Sequence, residues 1–516
     1  MLTNSALRRP RATAATAIGI AALGGAIALA LAGCGLVGPA VVDTSGKVEF
    51  DRPLAIPPLA PSTLDADGTR VFALTAERGE TEFEPGVPSE TWGYDDDHLG
   101  PTLVAERGER VRVDVQNDLD EATTLHWHGM QLPAAVDGGP HQPIEPGASR
   151  HPEWTIDQPA ATLWYHPHPH EETEQQVERG LAGLFLLHDP AERALGLPSA
   201  YGVDDVPLIV QDVSFDDDGR RTGRATSFAG ALGDETIVNG TRSPYFEATT
   251  ELVRLRLLNA STARILGFEL ADGRPMQQIA SDGGLLAAPV ETAHVRLSPG
   301  ERAEVVVRLT PGERVVLRSR MTSAELGGDD VLAGLNGGRD VFDVLELRAA
   351  ADLTASAPVP AALADLPDLP GPDEVAIERR FDLHGFDIND RSMDPDRIDL
   401  VAERGRTERW IVHNTSKLPH SFHVHDAQFR IESIGGAPPP PELAGWKDTV
   451  YAVPETEIAL LVRFDGPGDP EHPYMYHCHL LMHEDAGMMG QFLVVEPGQD
   501  ADEHFRMDDG EGHRHG

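Results

Sequence analysis

The stretch Val104-Ala105-Glu106-Arg107-Gly108-Glu109-Arg110-Val111-Arg112-Val113-Asp114-Val115-Gln116-Asn117 carries the pattern that sets the fold. Val111, Val113 and Val115 alternate with Arg112, Asp114 and Gln116, the period of a strand with one face buried. Val104-Ala105-Glu106-Arg107-Gly108 returns 297 positions later as Val401-Ala402-Glu403-Arg404-Gly405, and the same offset carries Asn117 onto Asn414. A related run, Leu252-Val253-Arg254-Leu255-Arg256-Leu257-Leu258-Asn259, stands mid-chain, and Glu304, Val306 and Arg308 alternate with Val305, Val307 and Leu309. Short period-two runs bounded by Gly, Pro, Asn and Asp, with little helical periodicity, predict an all-β chain of consecutive β-sandwiches. We expect three, over residues 48–190, 200–350 and 374–497. An Ala- and Pro-rich linker would occupy 351–373, and a polar acidic tail 498–516.

The 516 residues include 42 Lys+Arg against 84 Asp+Glu, a net charge of −42. A surface of that sign repels phosphate backbones, which excludes nucleic acid as a partner, and it disfavours electrostatic docking on anionic lipid. Residues 1–33 hold Arg8, Arg9 and Arg11 before an apolar run from about Ala12 to Leu31, with no acid, which reads as an export signal. The run closes on Leu31-Ala32-Gly33-Cys34, which resembles a bacterial lipobox. We therefore expect 1–33 to be a lipoprotein signal peptide. The protein would be exported and attached through lipidated Cys34 to the outer face of the bacterial cytoplasmic membrane. Cys478, the other of two cysteines, is then a lone thiol in an oxidising compartment, and metal ligation explains it.

Among the 22 histidines, four His-x-His pairs recur under internal repeats: His126/His128, His166/His168, His423/His425 and His477/His479. Residues i and i+2 of a strand share a face, so each pair presents two imidazoles side by side. The offset of 297 maps His126 and His128 onto His423 and His425. An offset of 311 maps Tyr165-His166-Pro167-His168 onto Tyr476-His477-Cys478-His479. Two pairs thus come from each terminal sandwich, and eight imidazoles can converge between them. Imidazole suits copper, zinc, iron and nickel. Cys478 points to the face opposite its two neighbours, with His483 and Met488 five and ten residues on. A thiolate, two imidazoles (His420 supplies the second) and a weak axial thioether make a blue-copper site. One strand then joins a mononuclear centre to a cluster able to collect four electrons and reduce dioxygen to water.

Several stretches resemble the bacterial three-domain multicopper oxidases, the laccase-like group that includes the copper-efflux oxidase. They are His126-Trp127-His128-Gly129, Trp164-Tyr165-His166-Pro167-His168, His420-Ser421-Phe422-His423-Val424-His425 and His477-Cys478-His479-Leu480-Leu481-Met482-His483-Glu484-Asp485-Ala486-Gly487-Met488. Val238-Asn239-Gly240, Asp282-Gly283-Gly284 and Trp446-Lys447-Asp448-Thr449-Val450 fit the same family, and the similarity spans roughly 48–497. The resemblance implies cupredoxin-like Greek-key sandwiches and four copper ions per chain. Type 1 copper would take His420, Cys478, His483 and Met488. Type 2 would take His126 and His423. The type 3 pair would take His128, His166, His168, His425, His477 and His479. It also implies Asp137 and Glu484 as catalytic acids that relay protons. The implied partners are dioxygen and a small-molecule or metal-ion reductant.

Two residues depart from the family pattern: Ser421 stands where proline is usual and Asp426 where glycine is common. The stretch 351–373 contains no Met, unlike the methionine-rich insertion of copper-efflux oxidases, which tilts the expectation towards phenols or aromatic amines. A copper-binding electron carrier or copper-sequestering lipoprotein without turnover is the alternative, though a carrier needs only the type 1 set. Copper nitrite reductase is disfavoured because all four pairs are present. His141, His151, His170, His413 and His472 are left out of the site, and the sequons at Asn239, Asn259 and Asn414 are read as chance.

Overall fold

In the computed structural model, which describes residues 41–501 apart from 224, 323–324, 326–329, 372–373 and 500, Asn117, Asn259 and Asn414 make the same hydrogen bonds. Each side-chain oxygen accepts from the N–H two residues on: Leu119 at 2.9 Å, Ser261 at 3.0 Å and Ser416 at 3.0 Å. Each amide donates to two carbonyls, one a few residues ahead and one on a distant segment: Glu121 and Ile144, Arg264 and Leu297, Leu418 and Ala452. One sequence signal thus closes the same corner three times. Because all three side chains are buried and bonded, the asparagines of the sequons at 259 and 414 are structural.

The first and last thirds repeat one sheet order. In the first, Leu103–Glu106, Gly183–His188, Ala161–His166 and His126–His128 lie side by side. In the last, Leu400–Glu403, Met489–Val495, Asp469–Cys478 and His420–Val424 lie in the same order, extended by Thr449–Ala452. A second sheet faces each, and alternate residues fill the space between. Val111, Val113 and Val115 pack with Phe72, Trp127 and Phe185 in one core; Trp410 and Val412 pack with Phe422 and Phe492 in the other.

In the middle sandwich Arg254 and Arg256, which alternate with leucines along their strand, are only 2% and 1% exposed. The first sandwich covers their face, and Glu304, Asp205 and Glu192 pair with both guanidinium groups. The expected boundary at 48 shifts. Arg52–Pro53 pairs in parallel with Pro244–Thr250, so this early segment belongs to the middle sheet. The strand Val341–Thr354 runs four residues into the stretch expected as linker, and Leu363 within that stretch is buried. The stretch 1–33 expected as a signal peptide, Cys34, and the tail beyond 501 lie outside the described residues.

Candidate metal centre

Cys478 ends the strand Asp469–Cys478, and its side chain faces away from those of His477 and His479. Its sulfur lies 3.5 Å from His420 Nδ1 and 3.6 Å from His483 Nδ1, with those nitrogens 3.2 Å apart. His420 opens the neighbouring strand, and His483 sits on the short helix Leu481–Asp485 that turns back beneath it. Both rings are held from behind. His483 Nε2–H donates to the Phe228 carbonyl at 2.8 Å, and His420 Nε2 meets Ser416 Oγ at 3.2 Å. That leaves each Nδ1 lone pair aimed at the sulfur. Burial lowers His483 to about 4 and His420 well below the ordinary imidazole range, so both are neutral ligands. Burial pushes the Cys478 thiol up to about 12, so a bound cation is needed to make it a thiolate. Met488 shares the buried cluster with Cys478, and its carbonyl accepts the Cys478 N–H at 3.0 Å.

Eight imidazoles gather on the other face, all buried. His168 Nε2 and His425 Nε2 approach His477 Nε2 at 3.2 and 3.3 Å, and His166 Nε2 approaches His128 Nδ1 at 3.4 Å. His126 stacks on His425 and His128 on His423, each at 3.8 Å between ring centres. His479 lies 5.0 Å from His128 and 5.3 Å from His166. The rings of His126 with His423 and His425, of His126 with His128 and His166, and of His168 with His425 and His477 form groups close enough to hold an ion. Burial holds His128, His166, His423 and His425 well below the ordinary range and His168 and His479 at about 3.

Two aspartates orient the cluster by a pseudo-twofold rule. The Asp137 carbonyl accepts from His126 Nδ1 at 3.0 Å, and its carboxylate accepts from His425 Nδ1 of the other sandwich at 2.6 Å. Asp448 repeats this in mirror roles: its carbonyl takes His423 Nδ1 at 2.9 Å, and its carboxylate takes His128 Nε2 at 3.1 Å. Asp448 was missed as a site residue, although it stands 311 positions after Asp137, the offset that relates His166 to His477. The middle sandwich supplies two further residues that the sequence did not flag. Arg302 grips Asp448 through two contacts of 2.7 Å. Gly300, at φ +86°, lies so close to the cluster that a Cβ there would sit 3.1 Å from both His128 and His479. Glu484 reaches His477 Nδ1 at 3.0 Å and His168 Nδ1 at 3.4 Å. Burial raises its carboxyl, but the facing imidazoles outweigh this and hold it well below the usual range.

Asp426 takes φ +55°, the left-handed region that favours glycine, which explains why glycine is common there. The Leu132 N–H, donated at 3.0 Å, holds its carboxylate. The excluded histidines stay outside the cluster. His151, His170, His413 and His472 pair with carboxylates, and His141 with Gln491.

The donor sets fit copper. Nε2 of His126 and of His423, and both nitrogens of His479, are buried without a hydrogen-bond partner. Each such orphan costs ~1–3 kcal/mol unless something binds it. Neutral imidazoles beside a Cys/His/His trigon match the ligand preferences of copper.

Two family models described as multicopper oxidase match residues 75–192 and 365–498. A multicopper oxidase, mco, of Staphylococcus haemolyticus is 34% identical over 450 residues, 86% of this chain and 92% of that protein. The cell division protein FtsP of Escherichia coli K12 is 35% identical over 449 residues, covering 86% and 93%. The crystal structure of a multi-copper oxidase from Pediococcus acidilactici superposes with a TM-score of 0.79 at 34% identity, covering 89% of this chain and 95% of that one. With three cupredoxin-like sandwiches, one copper-competent centre inside the last and another between the first and last, the chain belongs to the multicopper oxidase family.

Proposed function

We propose that the chain is a laccase-like oxidase that couples one-electron oxidation of phenols, aromatic amines or low-valent metal ions to four-electron reduction of dioxygen to water. His420, Cys478, His483 and Met488 would hold one copper, His126 and His423 a second, and His128, His166, His168, His425, His477 and His479 a third and fourth. Copper so held supplies one-electron redox chemistry on the Cys478 face and oxygen reduction on the other.

The observation that carries this reading is the placement of Cys478 between His477 and His479, in covalent contact with both candidate pockets. The main chain of three consecutive residues is the electron path. At the entry, Phe386 packs on the His483 ring at 4.7 Å and is 39% exposed, while Phe228, whose carbonyl holds His483, is 58% exposed. An exposed aromatic ring packed on a buried ligand favours an aromatic reductant. At the exit, Asp137 and Glu484 hold acceptor oxygens against the far nitrogens of cluster imidazoles, where protons consumed by the reaction can be passed on.

The test combines copper stoichiometry, visible absorption and oxygen uptake with a phenolic reductant. About four coppers, intense blue colour and oxygen consumption are expected. Blue colour without oxygen uptake in fully loaded protein would support the carrier or sequestering role instead. The name of the FtsP relatives raises a cell-division role. A purely structural role leaves the orphaned nitrogens of His126, His423 and His479 unexplained. The reading includes export with lipid attachment at Cys34, supported by Leu31-Ala32-Gly33-Cys34 after a basic and then apolar stretch. Cys34→Ala should release the protein from membranes into the soluble extracytoplasmic fraction.

A further inference from the structure

Gly283 of the middle sandwich meets the last sandwich at a cleft of about 890 Å³. The first sandwich lends it Arg107, the Pro-rich stretch expected as linker lends it Pro367, and the last sandwich lends it Gln428, Arg430 and Trp446. Neither Phe386 nor His483 lines it, so it is separate from the entry proposed for the reductant. Arg107, Arg406 and Arg463 line the cleft with acids of their own, Asp157 at 3.1 Å, Glu403 at 2.6 Å and Asp465 at 2.7 Å. Arg430 has no carboxylate within ion-pair distance among the described residues. Its Nε and Nη1 donate to the carbonyls of Ala444 at 3.1 Å and Pro367 at 2.5 Å, which leaves Nη2 without a protein partner there. Asp368 attracts it from further off, and burial lowers its guanidinium from the ordinary value. A partly desolvated cation without a counter-charge favours an anion.

Two neighbours of Arg430 narrow the class of anion. The Trp446 ring, its centre 5.9 Å from the guanidinium, offers a flat apolar face. Gln428 is 8% exposed; its Nε2 donates to the Gly129 carbonyl at 2.9 Å, and its Oε1 is buried without a hydrogen-bond partner. A buried acceptor so placed calls for a donor. Gly283 leaves room for that oxygen, since a Cβ there would sit 1.7 Å from Oε1 and 2.7 Å from Trp446 Cβ. We propose that this cleft binds a small aromatic carboxylate bearing a hydroxyl, with its carboxylate on Arg430, its ring on Trp446 and its hydroxyl donating to Gln428 Oε1. The unpaired cation, the flat face and the orphaned acceptor then each meet one complement. Junctions between sandwiches are common places for such ligands. The inference is independent of the copper assignment.

Isothermal titration calorimetry of the full chain with para-hydroxymethylbenzoate tests this, because that acid has no phenol to be oxidised. Saturable binding at one site per chain is expected. Para-hydroxymethylbenzamide, which lacks the charge, should bind about tenfold more weakly or worse, the worth of a charge-assisted hydrogen bond. Para-methylbenzoate, which lacks the donor, should bind several-fold more weakly. Arg430→Gln should weaken the acid to the level of the amide, while Phe386→Ala should bind it as the unaltered protein does. Absence of saturable binding at millimolar acid, equal binding of acid and amide, indifference to the hydroxyl, or full binding by Arg430→Gln overturns the proposal. Loss of binding in Phe386→Ala would place the acid at the reductant entry and overturn it as well. The comparison of ligands needs no variant, so it decides the matter even where Arg430→Gln fails to fold.

Discussion

Asp137 and Asp448 perform the same orienting task from opposite sandwiches, yet only Asp448 carries a counter-cation. Each gives its carbonyl to the leading histidine of the pair in its own sandwich and its carboxylate to the trailing histidine of the other. Arg302 clamps Asp448, whereas Asp137 Oδ1 is buried without a hydrogen-bond partner. The symmetry that builds the cluster is broken by a residue of the sandwich that lends it no candidate ligand. Asp137 therefore keeps one carboxylate oxygen unbonded beside the cluster, where a proton acceptor is needed.

Asp137→Asn keeps an oxygen that can accept from His425 Nδ1 but removes the carboxylate. Copper content and the blue band should survive, while turnover with dioxygen falls ~10²–10⁴-fold, the usual worth of a positioned acid or base. Steady-state oxygen uptake checks this. Turnover within a factor of two of the unaltered enzyme would remove Asp137 from the proton path.

Arg302→Leu leaves Asp448 buried with no guanidinium beside it. Stripping one partner from a buried pair costs ~3–5 kcal/mol because the remaining charge is uncompensated. Urea unfolding of metal-free protein at neutral pH should show a loss of that size. A loss under 1 kcal/mol would mean that Lys447, paired with Asp282 and Glu301 nearby, already neutralises the junction.

The buried imidazoles also set a pH dependence. His168 and His479 lie at about 3 and His483 at about 4 in the folded chain, against ~6.5 when unfolded, and burial is the leading cause. The unfolded state therefore binds more protons below ~6.5, and stability falls as pH falls through that value towards the folded ones. The urea midpoint of metal-free protein should drop steadily between about pH 6.5 and 5, a window above most carboxylate titrations. A flat midpoint across that window contradicts neutral, buried imidazoles.

Phe386→Ala removes the ring on His483 while sparing every candidate ligand. An aromatic contact contributes ~0.5–1.5 kcal/mol, so KM for a phenolic reductant should rise roughly 2- to 12-fold with little change in kcat. KM for ferrous ion should stay unchanged. Equal effects on both reductants would place the phenol elsewhere.

The sequence exposed those parts of the site that local periodicity encodes. Two residues apart in a strand means one face, so the four repeated His-x-His pairs and the oppositely facing Cys478 could be read directly, and the repeat told which sandwiches they came from. What it concealed depends on contacts between sandwiches. Arg254 and Arg256 alternate with leucines, and that alternation does not say that the first sandwich covers their face. Arg302 and Gly300 touch the cluster from the one sandwich that lacks the histidine pairs, and nothing near them in sequence signals it. Asp448 was legible in principle, through the offset of 311 applied to Asp137, but the spacing from the trailing histidine differs between copies and hides the match. The N-terminal strand joined the middle sheet because Arg52–Pro53 pairs with a segment far along the chain, and a two-residue strand leaves no periodic trace.

The central claim is that Cys478 wires one copper pocket to the other, and rapid mixing tests it most directly. Copper-loaded protein is reduced without air until the blue band vanishes, then mixed with dioxygen while the band is followed. The account predicts that blue colour returns rapidly as electrons leave the Cys478 face for the cluster, and that His479→Ala, which spares every type 1 ligand, recovers colour far more slowly. Equal recovery in both proteins, or dioxygen consumed by the cluster while the Cys478 face stays colourless, would contradict it.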